Sequence, residues 1–220
     1  DGQIPYRTRT NLVIYPISTK PLKAYLTQAE VKYLIETHKQ ITVKWGFVAY
    51  AKENYRLEFP DIIELYQKRQ ELKKDKSIKS QLMQWNIKII MNAIYGCFAQ
   101  TKGGFTRWTN LLLAGYITSE TRVKIWKEID KIGKENVIQI ATDGILFKVT
   151  DKNRKLVEQY SPNDKELGHF SLSGHYDWEI TYMNGIYILA NEKNNKIELK
   201  KRGMPLLTAK ELLEAKGQVI

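Results

Sequence analysis

Cysteine is nearly absent from this chain of 220 residues: Cys97 stands alone. A disulfide framework needs pairs, so none is available, and a reducing, intracellular setting is the default expectation. Histidine is almost as scarce. His38, His169 and His175 lie far apart and match no spacing that holds structural zinc. Long apolar runs are missing too. Nothing approaches the roughly 20 residues needed to span a bilayer, and the opening Asp1-Gly2-Gln3-Ile4-Pro5 is no signal peptide. No internal repeat, low-complexity tract or flexible linker is visible. Acidic residues are in deficit: 35 Lys and Arg against 24 Asp and Glu leave a net charge of +11. Such an excess favours a polyanionic partner, nucleic acid or an acidic membrane surface.

What is present is enough to fold. With 43% hydrophobic and 11% aromatic residues, the chain can build a sizeable core as one large domain or two small ones. The most informative stretch runs from Lys88 to Ala99. Read as a helix, it places Lys88, Asn92 and Tyr95 at i, i+4 and i+7, so an ammonium, an amide and a phenol share one face, with small Gly96 and Ala99 close by. Ile87, Ile90, Met91, Ile94 and Phe98 form a second, core-facing stripe. A polar row of this kind either faces water or admits a flat polyanionic ligand.

The rest of the chain alternates helices with short strands. Asn11 to Tyr15 is a β-branched run stopped by Pro16. Thr27-x-x-Glu30 is a capping box opening a helix with Val31, Leu34 and Ile35 inward. Strands are expected at Ile41–Trp45 and Phe47–Tyr50. Two helices, Ile62–Lys74 and Lys79–Gln100, flank Asp75-Lys76-Ser77. Lys68, Arg69, Lys73, Lys74, Lys76 and Lys79 crowd that tip, as a solvated charged end or a phosphate-facing one. A helix from Leu111 to Lys131 ends at Gly133. From Val137 to Phe147, apolar residues flank Asp143-Gly144, a hairpin signal. Trp178–Met183 and Tyr187–Ala190 read as further strands, Ile197–Gly203 as a basic run whose pattern fits a charged edge strand or a phosphate-facing turn, and Thr208–Lys216 as a short helix. The pattern is α+β.

The string K-x-x-x-N-A-x-Y-G-x-F-A resembles the fingers motif K-x-x-x-N-S-x-Y-G of family B DNA polymerases. Its trailing Phe98-Ala99 is similar to the protein-primed members, and Ala93 replaces the usual Ser. Ile4-Pro5-Tyr6-Arg7-Thr8 and Val13-Ile14-Tyr15-Pro16 look like the segment after the first palm motif, and Gly115 to Arg122 like the palm helix after the fingers. Ala141-Thr142-Asp143-Gly144 resembles the palm hairpin Y-x-D-T-D-S, with Ala141 for the first Asp and Gly144 for the Ser. Tyr187 falls on the Tyr of K-x-Y, whose Lys is Gly185. Lys200-x-Arg202-Gly203 is similar to the K-x-K-G turn into the thumb.

The resemblance implies a partial palm sheet, a helical-hairpin fingers subdomain and a short thumb: 1–58 palm, 59–104 fingers, 105–190 palm with the hairpin, 191–220 thumb. It implies that Asp143 is catalytic and binds metal. Lys88, Asn92, Tyr95 and Arg69 bind the dNTP, and Gly96, Thr142, Tyr187, Lys200 and Arg202 touch primer–template DNA. Two Mg²⁺ ions would be shared with a carboxylate of the first palm motif, D-x-x-S-L-Y-P. Neither that motif nor any exonuclease motif is found here. The expectation is therefore a C-terminal subunit of a split DNA-directed DNA polymerase. Its partner chain carries the exonuclease and the first palm motif, inside the cell with a genome, mobile element or virus and away from membranes. The alternatives are a non-catalytic nucleic-acid-binding subunit with a degenerate polymerase fold, or a piece of a single-chain enzyme.

Overall fold

The computed structural model describes residues 6–7, 13–14, 23–37, 39–48, 60–100, 103–161, 166–183, 185–201, 208 and 211. The elements are β1 (Tyr6–Arg7), β2 (Val13–Ile14), α1 (Gln28–Glu36), α2 (Pro60–Leu72), α3 (Ile78–Ala99), α4 (Leu111–Ile132), β3 (Val137–Ala141), β4 (Gly144–Phe147), α5 (Arg154–Val157), β5 (Trp178–Met183), β6 (Ile186–Asn191) and β7 (Lys196–Lys201). The strands form antiparallel sheets β1-β2, β3-β4 and β5-β6-β7. The chain is thus mixed α+β, and it divides into two compact units, 1–123 and 124–220. The expected helix at 208–216 lies outside the described residues apart from Thr208 and Glu211, where the Thr208 N–H donates to the Glu211 carboxylate at 2.7 Å.

In the first unit, α1 opens as its capping box requires. The Thr27 N–H donates to the Glu30 carboxylate at 2.9 Å, satisfying an otherwise orphaned helix donor. Glu30 is nevertheless buried, with Tyr33 and Leu34, while Ile35 is exposed. The inward stripe expected through Ile35 is therefore rotated. The cause is Arg122 of α4, which ion-pairs with the other Glu30 oxygen and draws a carboxylate into the interior.

The strand expected at 41–45 is not formed; 46–48 is irregular too, and the rest of the strand expected at 47–50 lies outside the described residues. Val43, Trp45, Phe47 and Val48 are exposed, and the Tyr25 ring meets Trp45 edge-on at 5.8 Å. An alternating pattern supplies a face, but a strand also needs a neighbouring edge to bond with, and among the described residues this segment has none.

α2 and α3 pack together as a hairpin. Its turn is organised by Asp75, whose carboxylate accepts from Ser80 Oγ at 2.6 Å and from the Ser77 N–H and Oγ at 2.8 Å. Those donors, Ser80 first, lower the Asp75 pKa. Ser77 in turn caps α3 through the Ser80 N–H. The inner stripe of α3 runs through Ser80, Gln84, Ile87, Met91, Ile94 and Phe98; Ile90, expected on it, is 51% exposed. Among the described elements α2 makes the most extensive contact with α3, and the stripe it covers is narrower than the sequence suggests.

In the second unit the C-terminal turns of α4 bury Ile125, Trp126, Ile129 and Ile132. Gly133 ends the helix at φ +91, where a Cβ would lie 2.9 Å from Asn136 Nδ2 and from Glu135 Oε1. Two buried asparagines then tie the β3-β4 hairpin to this end. Asn136 Nδ2 donates to the Ile132 carbonyl at 2.9 Å. Asn153 Nδ2 reaches the same carbonyl at 3.4 Å and Lys148 O at 3.0 Å, and its Oδ1 accepts from the Thr150 N–H at 2.8 Å. The Lys148 N–H donates to Asn136 O at 2.8 Å. Beneath them Tyr160 donates to buried Glu128, and burial first, then that carboxylate, raises the tyrosine pKa. The meander β5-β6-β7 has its own small core of Ile186 and Ile188 under Trp178, Tyr182 and Leu199.

Asn153 is 2% exposed and joins three backbone groups. Replacing it with Ala leaves Lys148 O and the Thr150 N–H without that side-chain partner, while Ile132 O keeps Asn136, at a cost of about 1–2 kcal/mol. Asn153→Ala is expected to lower the chemical-denaturation midpoint accordingly, and an unchanged midpoint would refute the tie.

Candidate functional site

The polar row of α3 forms as its spacing requires. Lys88, Asn92 and Tyr95 are exposed on one helical face, and none has a side-chain partner among the described residues. Gly96 is exposed, with nothing within 4 Å of where a Cβ would stand. Arg69 is half-buried on α2, and its Nε is buried without a partner. At 1.5 Å rise per residue, Arg69 and Lys88 are offset by roughly 10 Å along the hairpin axis, so Arg69 sits nearer the tip. Two cations and two neutral donors here have no carboxylate to answer them among the described residues, which suits an anionic ligand.

Two features of this face escaped the sequence reading. Trp85, three residues before Lys88, extends the same row and is 56% exposed. Moreover, no Asp or Glu occurs anywhere from Lys76 to Ser119. Absence of one charge sign over so long a stretch is visible in the sequence, but only when the stretch is searched for what is missing.

Asp143 and Thr142 belong to the second unit. They form the two-residue tip of the β3-β4 hairpin, closed by the Ala141–Gly144 pair, so Gly144 is a strand residue and the turn lies one position earlier than Asp-Gly chemistry suggests. Thr142 carries the strain, at φ +58. A β-branched residue there is a genuine outlier of the kind found at functional turns. Asp143 is exposed, and its carboxylate has no partner among the described residues. On β3, Val137, Gln139 and Ala141 face inward while Ile138 and Ile140 are about half exposed; both amide atoms of Gln139 are buried without a partner.

The described residues contain no group of three or more His, Cys, Asp or Glu able to hold a metal. Asp143 suits one ligand position of a hard cation such as Mg²⁺; it does not make a cage.

Tyr187 is half-buried on β6, between Thr181 of β5 and Lys200 of β7. Gly185, standing where a lysine was expected, has φ +86 in the β5–β6 turn, a conformation a lysine would adopt only with strain. Lys200 is already engaged, at 3.0 Å, by Glu198, so a phosphate would compete with that carboxylate. Arg202 lies outside the described residues. No described helix is long and apolar enough to cross a membrane.

A DNA polymerase of Acidianus bottle-shaped virus (isolate Italy/Pozzuoli) is 28% identical to this chain over 169 residues. The matched region is 74% of the chain and 23% of the viral protein, so the chain spans about a quarter of that relative. This is a distant relationship to a DNA polymerase. A continuous region of that length, wherever it starts, includes both Lys88–Ala99 and Asp143. No family model matches the chain, and no solved structure matches it significantly.

Glu198 generates a pH prediction. Lys196 first, then Lys200, hold its pKa down to about 2 from a usual 4.5. A depressed carboxylate stabilises the fold above its unfolded pKa, and that contribution is lost as pH falls toward the folded value. Stability is therefore expected to decline between about pH 4.5 and 2, and Glu198→Gln to flatten that part of the pH profile. An unaltered profile in urea titrations would contradict the assignment.

Proposed function

We propose that this chain provides the nucleotide-binding fingers and one metal-binding carboxylate of a family B DNA-directed DNA polymerase. The observation that carries the reading is the unanswered row Lys88, Asn92 and Tyr95, with Arg69 on the neighbouring helix, in a region related to a viral DNA polymerase. In this role Lys88 and Arg69 hold the triphosphate, Asn92 and Tyr95 orient the nucleotide, and Gly96 lets the nascent pair approach the helix. Asp143 holds metal at the hairpin tip; Thr142, Tyr187, Lys200 and Arg202 contact the DNA.

The reaction joins the primer 3′-oxygen to the α-phosphorus of the dNTP, breaks the bond to pyrophosphate and releases the hydroxyl proton to solvent. Mg²⁺, when bound, neutralises charge developing on the phosphates and on the attacking and leaving oxygens. The cationic residues of α2 and α3 add fixed positive charge where the leaving group gains negative charge, usually a large part of such a rate gain.

Asp143 alone is an incomplete metal site. The second carboxylate comes from polypeptide outside these 220 residues, on a partner chain in the split arrangement. Two features support a missing neighbour: a hairpin of two strands, too few to be stable alone, and exposed Ile138 and Ile140. A second reading, a nucleic-acid-binding subunit that has lost the chemistry, is favoured by Ala141, where a carboxylate was expected.

Primer extension by the reconstituted polymerase separates the two. Asp143→Ala is expected to reduce extension at least about 10³-fold with little change in DNA affinity, and Lys88→Ala to raise the KM for dNTP on the order of 10–100-fold. Extension by the Asp143→Ala assembly at the unmodified rate would refute the catalytic reading. Absence of metal-dependent dNTP binding would leave the binding-subunit reading.

A further inference from the structure

Between α3 and α4 the chain makes a short loop that is tightly held and yet exposes large side chains. Asn110 N–H donates to Phe98 O at 3.0 Å and Thr109 Oγ1 to Gln100 O at 3.4 Å, which pins the loop to the end of α3. Within it the Thr106 N–H donates to Thr109 Oγ1 at 2.9 Å, and the Thr109 N–H to Thr106 O at 3.0 Å. Asn110 Oδ1 accepts from the Leu113 N–H at 3.0 Å and caps α4. Gly103 and Gly104, at φ +84 and +93, make the sharp entry.

On this fixed frame Phe105 is 78% exposed and Trp108 58%, and the Arg107 guanidinium lies 4.6 Å from the centroid of the Trp108 ring. Arg107 has no carboxylate partner among the described residues, and the loop falls inside the acid-free stretch from Lys76 to Ser119. Two aromatic rings and a guanidinium are thus held outward together.

We propose that this loop is a stacking site for single-stranded nucleic acid, in which an unpaired base lies on the Trp108–Arg107 pair, Phe105 receives a neighbouring base, and Arg107 meets the backbone charge. Any base offers a π-face, so the site takes unpaired nucleotides irrespective of sequence. A duplex, whose bases are already stacked, has nothing to offer the rings. The site uses neither the Lys88 row nor Asp143, and its occupancy is read without turnover, so it stands or falls independently of the polymerase reading.

The test is fluorescence anisotropy of the full 220-residue chain with a labelled oligothymidylate and with a duplex of equal length, across a salt series. Trp108→Ala is expected to weaken single-strand binding about ten-fold and duplex binding less than about two-fold. Trp108→Phe should recover most of the loss, and Arg107→Ala should make the single-strand salt dependence shallower by about 0.7 in log–log slope. Circular dichroism should be unchanged in all three, because the loop is anchored through threonine and asparagine groups that the substitutions spare. Equal loss on both ligands, or none, would overturn the site. So would a change of oligomeric state in Trp108→Ala, which would identify the rings as a protein contact.

Discussion

The β3-β4 hairpin depends on one carbonyl. Ile132 O, at the end of α4, receives Asn136 Nδ2 and Asn153 Nδ2, and the same two asparagines hold the outer ends of the β3-β4 hairpin through Lys148 and Thr150. A two-stranded hairpin has little stability of its own. Fixed at its base to a helix whose inner face is packed, it can carry strain at its far end. Thr142 at positive φ is tolerable because the strands on either side are held. Rigid anchoring at the base and strain at the tip together present Asp143 outward.

Much of this was legible because it depends on local chemistry. Helical periodicity gave α2, α3 and α4 to within a turn; Thr27-x-x-Glu30 gave the start of α1, and Gly133 the end of α4. The hairpin was readable from its turn, and the face shared by Lys88, Asn92 and Tyr95 from counting residues. What escaped rests on distant partners. Nothing near Glu30 announces that Arg122, on another helix, will draw it inward and turn Ile35 out. The alternation at 41–48 states that one face is apolar, not that a strand edge is available. The turn falls on Thr142-Asp143 because the register closes on the Ala141–Gly144 pair, against the preference of Asp-Gly for the turn itself. Gly185 looked like a lost lysine and is a backbone requirement.

Charge explains why cations of the first unit stand without counter-charge while its ion pairs lie elsewhere. Glu30 answers Arg122, and the Asp75 carboxylate is used by serine donors at the hairpin turn. Between Lys76 and Ser119 no acid remains to answer Lys88 or Arg107. A basic stretch whose counter-charge has been removed leaves its cations available to an incoming anion, with no internal pair to break first. Lys200 shows the contrast: Glu198 occupies it, and anything binding there has to displace a carboxylate.

The same accounting bears on the lone carboxylate at the hairpin tip. Mg²⁺ keeps much of its water and is commonly held by one or two carboxylates together with substrate phosphates. Two carboxylates side by side on the strand and turn would attract a cation strongly before any nucleotide arrived, and would also repel one another. With Ala141 in the strand, Asp143 contributes a single negative charge in a chain of net charge +11. It is therefore suited to join a cation that already has phosphate ligands, and poorly suited to retain one by itself.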